Sequence, residues 1–125
     1  MVKKYCVIGA GGSFGLHTCM YLIDNTDAEV IGIGRNFLRE PAFSLNIQKK
    51  DRFRYLARHT TYELDLLLEF LDEEKPEIII NYAAQGEGAV SWKNSWRFFE
   101  TNSMGLARFA EELNNRSWLK HFIQI

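Results

Sequence analysis

The sequence predicts an α/β fold, a doubly wound parallel sheet in the strand order 3-2-1-4-5 with helices on both faces. Three observations carry the expectation. Short, nearly continuous apolar runs alternate with longer amphipathic segments, as in sheets whose strands are buried on both faces. The segments following the first, third and fourth runs read as helices, so the strands are joined by crossovers and not by hairpins. A glycine cluster, Gly9-Ala10-Gly11-Gly12-Ser13-Phe14-Gly15, separates the first run from its helix. At 125 residues and 46% hydrophobic, the chain fits one domain, residues 1–125, with a sizeable core.

Taken in order, Tyr5-Cys6-Val7-Ile8 forms the first strand. Ser13 to Asp24 places Phe14, Leu16, Cys19, Met20, Leu22 and Ile23 at helical spacing until Asn25-Thr26-Asp27 breaks the pattern. Glu29 to Gly34 repeats the strand signature. Arg35 to Lys50 has no clean period and contains Pro41, so it is expected as a long connection with at most a short helical piece. Phe53 to Ala57 reads as the third strand. Glu63 to Glu74 carries Leu64, Leu67, Leu68 and Leu71 at i, i+3, i+4 and i+7, and ends before Lys75-Pro76. Glu77 to Tyr82 is the fourth strand. After a loop with Gly86 and Gly88, Ser95 is expected to cap one helix running to about Asn114, with Phe99, Leu106, Ala110 and Leu113 on its buried stripe. His121 to Ile125 supplies the fifth strand.

Charge and residue usage narrow the function. Lys plus Arg number 15 against 16 Asp plus Glu, a formal net charge of −1, so no basic stripe invites nucleic acid or an anionic membrane. No run approaches the ~18 apolar residues of a membrane span, and Met-Val-Lys-Lys leads into a strand pattern, which places the expected location in the cytoplasm. Cys6 and Cys19 have no metal-ligand spacing and read as buried thiols, while His17, His59 and His121 are scattered; no metal is expected.

In such a sheet, ligands bind at the switch point between strands 1 and 4, so the loops Gly9 to Gly15 and Ala83 to Trp92 come first. Gly9 suits the tight turn, Gly12 lets backbone amides approach a pyrophosphate, and Gly15 lets the helix sit close to the strand. No Gly-Lys-Ser/Thr follows, which disfavours a Walker-type loop. The end of the second strand selects the nucleotide. An acidic residue there would bond an adenosine 2′-hydroxyl, whereas this chain has Gly34-Arg35-Asn36, with Arg35 about 20 positions beyond Gly15. NADP is therefore expected in preference to NAD.

The glycine pattern at Gly9, Gly12 and Gly15, the run Lys75-Pro76-Glu77-Ile78-Ile79-Ile80-Asn81-Tyr82-Ala83-Ala84-Gln85, then Ser91 and Glu100-Thr101-Asn102-Ser103-Met104-Gly105 resemble the extended short-chain dehydrogenase/reductases, and within them the nucleotide-sugar epimerases and 4,6-dehydratases. The resemblance covers the whole chain. It implies a Rossmann-like cofactor domain in which Ser13 and Phe14 meet the pyrophosphate, Phe14 covering it. Ala83, Ala84 and Gln85 would line the cofactor near its ribose and nicotinamide, and Asn102 would stand behind the cleft. For the parent enzyme it implies hydride transfer at C4 of a nucleotide-linked hexose. It also implies a homodimer built on the long helix near 95–114.

Departures are visible beside it. The acidic residue that in relatives ends the third strand and contacts adenine falls, counting back from Pro76, at about Thr60, and Gly86 stands where relatives have Ser. None of Tyr5, Tyr21, Tyr55, Tyr62 and Tyr82 is followed four positions on by Lys, so these residues contain no Tyr-x-x-x-Lys pair and no catalytic residue is assigned. The expectation is the N-terminal part of a longer enzyme. A non-catalytic NAD(P)-binding or sensing module is the alternative, and an unrelated mononucleotide-binding half-domain a weaker one. Trp92 with Trp96 reads as packing more readily than as a sugar subsite, Asp72 to Lys75 as a solvated helix end, and Glu87 as an exposed loop carboxylate rather than a contact to substrate hydroxyls.

Overall fold

A computed structural model of the chain describes residues 2–86 and 88–125. Five parallel strands, β1 (Lys4–Ile8), β2 (Glu29–Gly34), β3 (Phe53–Ala57), β4 (Ile78–Asn81) and β5 (His121–Gln124), form one sheet in the order 3-2-1-4-5. Helix α1 (Ser13–Asn25) joins β1 to β2, and α2 (Leu64–Glu74) joins β3 to β4. The expected doubly wound architecture is therefore present. Alternation along β1 divides the core. Val7 packs with Leu16, Cys19, Leu22 and Ile23 of α1, while Cys6 and Ile8 face Leu64, Leu67, Leu68 and Leu71 of α2. Burial pushes the Cys6 thiol well above its ordinary range and the Cys19 thiol up to about 12, so both behave as small apolar side chains.

The connection from β2 to β3 is less loose than its sequence suggests. Ile47 opens a single 3-10 turn, Ile47–Lys49, and is fully buried in the α1-side core, with Ser44 buried beside it. Ile47, with Leu38 partly buried against the same cluster, thus anchors an otherwise irregular segment.

The helix expected from Ser95 to Asn114 is built differently. A short helix, α3 (Gly88–Ser91), precedes α4 (Ser95–Phe99), and Asn94 rather than Ser95 holds the N-cap position, without a side-chain bond. A π-turn over Glu100–Gly105 then leads into α5 (Leu106–Leu113). The wider turn shifts the helical phase by one residue. Phe109 and Leu113 pack into the α2-side core and Gly105 is buried beside Thr61; of the expected stripe only Leu113 is buried, since Ala110 is exposed, Leu106 is only half-buried and Phe99 is 69% exposed. Gly105 permits this approach: a Cβ there would lie 2.9 Å from the Glu100 carbonyl oxygen and overlap the Thr61 hydroxyl.

At the amino edge of the sheet, Glu74 gathers three elements. Arg54 of β3 donates two hydrogen bonds to its carboxylate (2.7 and 2.5 Å), and Lys4 of β1 donates to both that carboxylate (3.1 Å) and the Glu74 carbonyl (3.0 Å). The Arg54 hydrogen bonds, then Lys4, hold the Glu74 carboxyl at about 2 against an ordinary 4.5, and its side chain is 18% exposed. A depressed folded-state pKa contributes stability above the unfolded value and loses it as pH falls from about 4.5 to about 2. Because Arg54 is half in solvent, the contribution at neutral pH is about 1–2 kcal/mol. Glu74→Gln is expected to lower Tm at pH 7, with the gap from wild type narrowing by pH 3 and closing only near pH 2. Calorimetry at both pH values checks this, and an equal gap at pH 3 refutes the ionic account.

Candidate dinucleotide site

The site begins where β1 ends. Gly9 takes φ +85°, a conformation open to glycine, and the amides of Gly9 and Ala10 both donate to the Ile33 carbonyl (2.7 and 3.0 Å). A Cβ on Gly15 would lie 2.7 Å from the Gly9 carbonyl carbon and overlap its oxygen, so the first turn of α1 rests directly on the strand exit. Gly12 holds the N-cap position with no side-chain hydrogen bond. The first amides of α1 therefore have no capping side chain, and they add to the positive end of the helix dipole.

A cavity of about 480 Å³ opens at the carboxyl ends of the strands, lined by Gly9, Gly11 and Gly12, by Gly34, Arg35 and Asn36 after β2, and by Tyr82, Ala83, Ala84 and Gln85 after β4. Its volume falls within the ~300–1,000 Å³ of small-molecule sites. Of the residues singled out in the sequence, Gly9, Gly12, Arg35, Asn36, Ala83, Ala84 and Gln85 share this lining. Ser13, Phe14 and Gly15 lie outside it, and the Phe14 side chain is 80% exposed. Trp92 and Trp96 are exposed and also outside the lining, with the Arg97 guanidinium over the Trp96 ring at 5.2 Å. Glu87 lies outside the described residues.

Polar bonds brace the mouth of the cavity. Asn102, on the π-turn, accepts from the Gln85 amide (2.8 Å) and donates back to the Gln85 carbonyl (2.9 Å), a reciprocal pair that fixes the loop after β4. Arg35 donates to Gln85 Oε1 (3.0 Å), so the loops after β2 and β4 meet across the switch point. The Tyr82 and Thr18 hydroxyls bond at 2.6 Å, and Thr18 donates onward to the Phe14 carbonyl, tying α1 to the end of β4. Asn81 Oδ1 accepts from the Ala83 amide (3.0 Å).

A further wall was anticipated in the sequence only at Thr60. Tyr55, Arg58, His59 and Thr60 line the cavity from the β3 side, with Phe37 and Arg39 from the connection and Thr101 from the π-turn. The strand ends at Ala57 and the first residue beyond it is Arg58, while Thr60, the position reached by counting back from Pro76, also lines the cavity. Tyr55 donates to the Asn36 carbonyl (2.5 Å), and a Cβ on Gly34 would strike its hydroxyl. Desolvation, then the nearby Arg35 charge, lowers the His59 pKa, so the imidazole is neutral at pH 7. Its Nδ1 accepts from the Thr61 and Tyr62 amides (both 3.1 Å), which puts the proton on Nε2. Among the described residues, the cations of the lining are then Arg35, Arg39 and Arg58, and none of those residues that line it is a carboxylate.

A glycine turn without side chains, a helix N-terminus without a cap and a cationic wall fit a dinucleotide: the turn would admit the diphosphate, and the wall the adenosine end. Among the described residues, no group of three or more His, Cys, Asp or Glu is placed to hold a metal ion, and no helix is long and apolar enough to cross a membrane.

Comparison with solved structures places the chain beside enzymes of one kind. It superposes on the UDP-Glc/GlcNAc 4-epimerase of Campylobacter jejuni with a TM-score of 0.84 at 18% identity, over 98% of this chain and 36% of that one. It superposes on the dTDP-glucose 4,6-dehydratase of Bacillus anthracis, solved with NAD, at 0.78 and 18% identity, over 98% and 37%. The match to the UDP-glucuronic acid 4-epimerase of Bacillus cereus, solved with UDP-glucuronic acid and NAD, has a TM-score of 0.77 at 26% identity, over 97% and 39%. The chain thus spans under two-fifths of the length of these structures. No curated protein sequence matches it. The model of the NAD-dependent epimerase/dehydratase family matches residues 5–125, nearly the whole chain, and the chain belongs to that family.

Proposed function

We propose that this chain is the N-terminal cofactor-binding part of a nucleotide-sugar epimerase or 4,6-dehydratase, taking NADP in preference to NAD. The observation that carries the reading is the backbone contact between Gly9 and Gly15, which sets an uncapped helix N-terminus at the switch point of the sheet, above a cavity of about 480 Å³. Amides after Gly9 and Gly12, with Ser13 at the start of α1, hold the diphosphate, and Phe14 covers it from outside. Arg35 and Asn36 hold the adenosine ribose, Arg35 through the 2′-phosphate. Ala83, Ala84 and Gln85 present small or amide surfaces toward the nicotinamide side, where a bulky side chain would close the cleft.

The dinucleotide supplies acceptance and return of a hydride, which in the whole protein is directed at C4 of a nucleotide-linked hexose. This chain's own residues bind and orient: Asn102 fixes Gln85, and the Tyr82–Thr18 bond fixes the loop against α1. The exposed apolar side chains of Trp96, Phe99 and Met104 on the helix near 95–114 support self-association as a homodimer.

Calorimetric titration with NADPH and NADH, paired with thermal shift, tests the reading. Wild type is expected to bind NADPH more tightly. Arg35→Ala is expected to weaken NADPH by about tenfold to a hundredfold, the worth of one charge-assisted hydrogen bond, while leaving NADH nearly unchanged. Unaltered NADPH affinity in the variant removes Arg35 from the account; binding of neither nucleotide to wild type overturns the cofactor role.

A further inference from the structure

We propose that Arg58, on the exit of β3, is a second specificity-determining residue, and that Arg35 and Arg58 form a two-sided clamp for a phosphate ester on the adenosine ribose. The inference rests on the dinucleotide reading above and names a residue that reading does not use. Three independent observations converge on it.

The first is register. Gly34 pairs with Ala57 in the parallel ladder of β2 and β3, and the Arg58 amide donates to the Gly34 carbonyl (2.8 Å). Arg35 and Arg58 are therefore the first residues past the same rung, leaving adjacent strands that run about 4.8 Å apart. Two cationic side chains are delivered to one edge of the cavity by the backbone itself.

The second is charge balance. Arg35, Arg39 and Arg58 all line the cavity, and among the described residues the lining contains no Asp or Glu and none of the three takes part in an ion pair. The arginines at the start of β3 are engaged: Arg54 holds Glu74, and Arg52, just before the strand, donates to the Ala28 and Ile23 carbonyls. The diphosphate of a dinucleotide is already met by the helix N-terminus and the glycine amides. Like charges gathered on the opposite side point to one more anionic group, and on an adenine dinucleotide the group that distinguishes NADP is the 2′-phosphate.

The third is an unmet donor. Arg58 Nη1 donates to the neighbouring Ala57 carbonyl (3.0 Å), but its Nε is buried with no hydrogen-bond partner among the described residues. Burying an N–H of a charged group without an acceptor costs free energy. A phosphate oxygen set between the two strand exits would satisfy it, and the planar guanidinium suits phosphate geometry.

The test uses Arg58→Gln and Arg58→Lys, titrated with adenosine 2′,5′-bisphosphate, 5′-AMP, NADPH and NADH, alongside the melting temperature of each unliganded variant. Arg58→Gln is expected to weaken adenosine 2′,5′-bisphosphate and NADPH by about tenfold to a hundredfold, with 5′-AMP and NADH changed by no more than about twofold. Arg58→Lys, which keeps the charge but loses the fork, is expected to fall between, and in a cycle with Arg35→Ala the two losses are expected to be non-additive. Unchanged NADPH affinity in Arg58→Gln overturns the clamp while leaving the Arg35 assignment standing. Equal losses for NADH and 5′-AMP overturn it as well, because Arg58 would then serve the shared part of the ligand or the fold. Failure of wild type to bind any of the four defeats the underlying cofactor reading, a result distinct from both.

Discussion

Gly12→Asp is expected to abolish binding of both NADPH and NADH while leaving the fold as stable as wild type or slightly more so. The two effects separate because of where Gly12 sits. Its φ of −85° and ψ of 168° are extended backbone that any residue adopts, and a Cβ there meets only the Gly9 carbonyl oxygen at 3.4 Å, an ordinary contact. Gly12 is the N-cap of α1 and has no side chain to cap it. A carboxylate introduced there accepts from the first-turn amides and faces the positive end of the dipole, a gain of about 0.3–1 kcal/mol. The same carboxylate occupies the donors assigned to the diphosphate and sets a like charge against it, at a cost of several kcal/mol. An affinity loss of at least a hundredfold for both nucleotides, beside an unchanged or raised Tm, is the expected signature. Titration and thermal melting on one preparation read both. If Gly12→Asp binds NADPH as wild type does, the turn does not touch the diphosphate. Gly15 provides the contrast: its Cβ would strike Gly9, so Gly15→Ala is limited by packing and not by ligand.

Much of this architecture is legible in the order of residues. Parallel strands buried on both faces require apolar runs such as Cys6-Val7-Ile8 and Ile78-Ile79-Ile80, and a crossover helix requires a stripe such as Leu64, Leu67, Leu68 and Leu71; both patterns are local and survive reading without coordinates. The glycine turn is legible for the same reason. What the order of residues conceals is non-local. Arg58 joins Arg35 at the cavity only because Gly34 pairs with Ala57, a register that no motif in either segment announces. Ile47 becomes core because a long connection folds back over α1, and its isolated position gives no period. The family resemblance drew attention to Asn102, but its reciprocal bond to the Gln85 backbone becomes visible only once the π-turn is placed.

The phase of the last helix gives the second large effect. Read as a straight α-helix from Ser95, its buried stripe would hold Phe99, Leu106, Ala110 and Leu113. With the extra residue in the turn Glu100–Gly105, Leu113 of that stripe stays buried but its partner is Phe109, which is 1% exposed, packs edge-on against Phe122 with ring centroids 6.0 Å apart, and joins the α2-side core, while Leu106 is half-buried. Phe109→Ala is therefore expected to cost about 3–5 kcal/mol, the transfer of a large ring plus the cavity it leaves. Leu106→Ala is expected to cost about 1 kcal/mol, in proportion to its partial burial. For a domain whose total stability is about 5–15 kcal/mol, the first variant stands near the unfolding threshold at physiological temperature and the second does not. Denaturant melts of the two single variants decide the phase. Equal losses, or a larger loss for Leu106→Ala, would restore the straight helix and with it a different face toward the sheet. The expected order ties the π-turn to function as well as to stability. Asn102, which braces the Gln85 backbone, lies in that same turn, so the turn carries the polar brace of the cavity mouth and leads directly into the helix that Phe109 anchors.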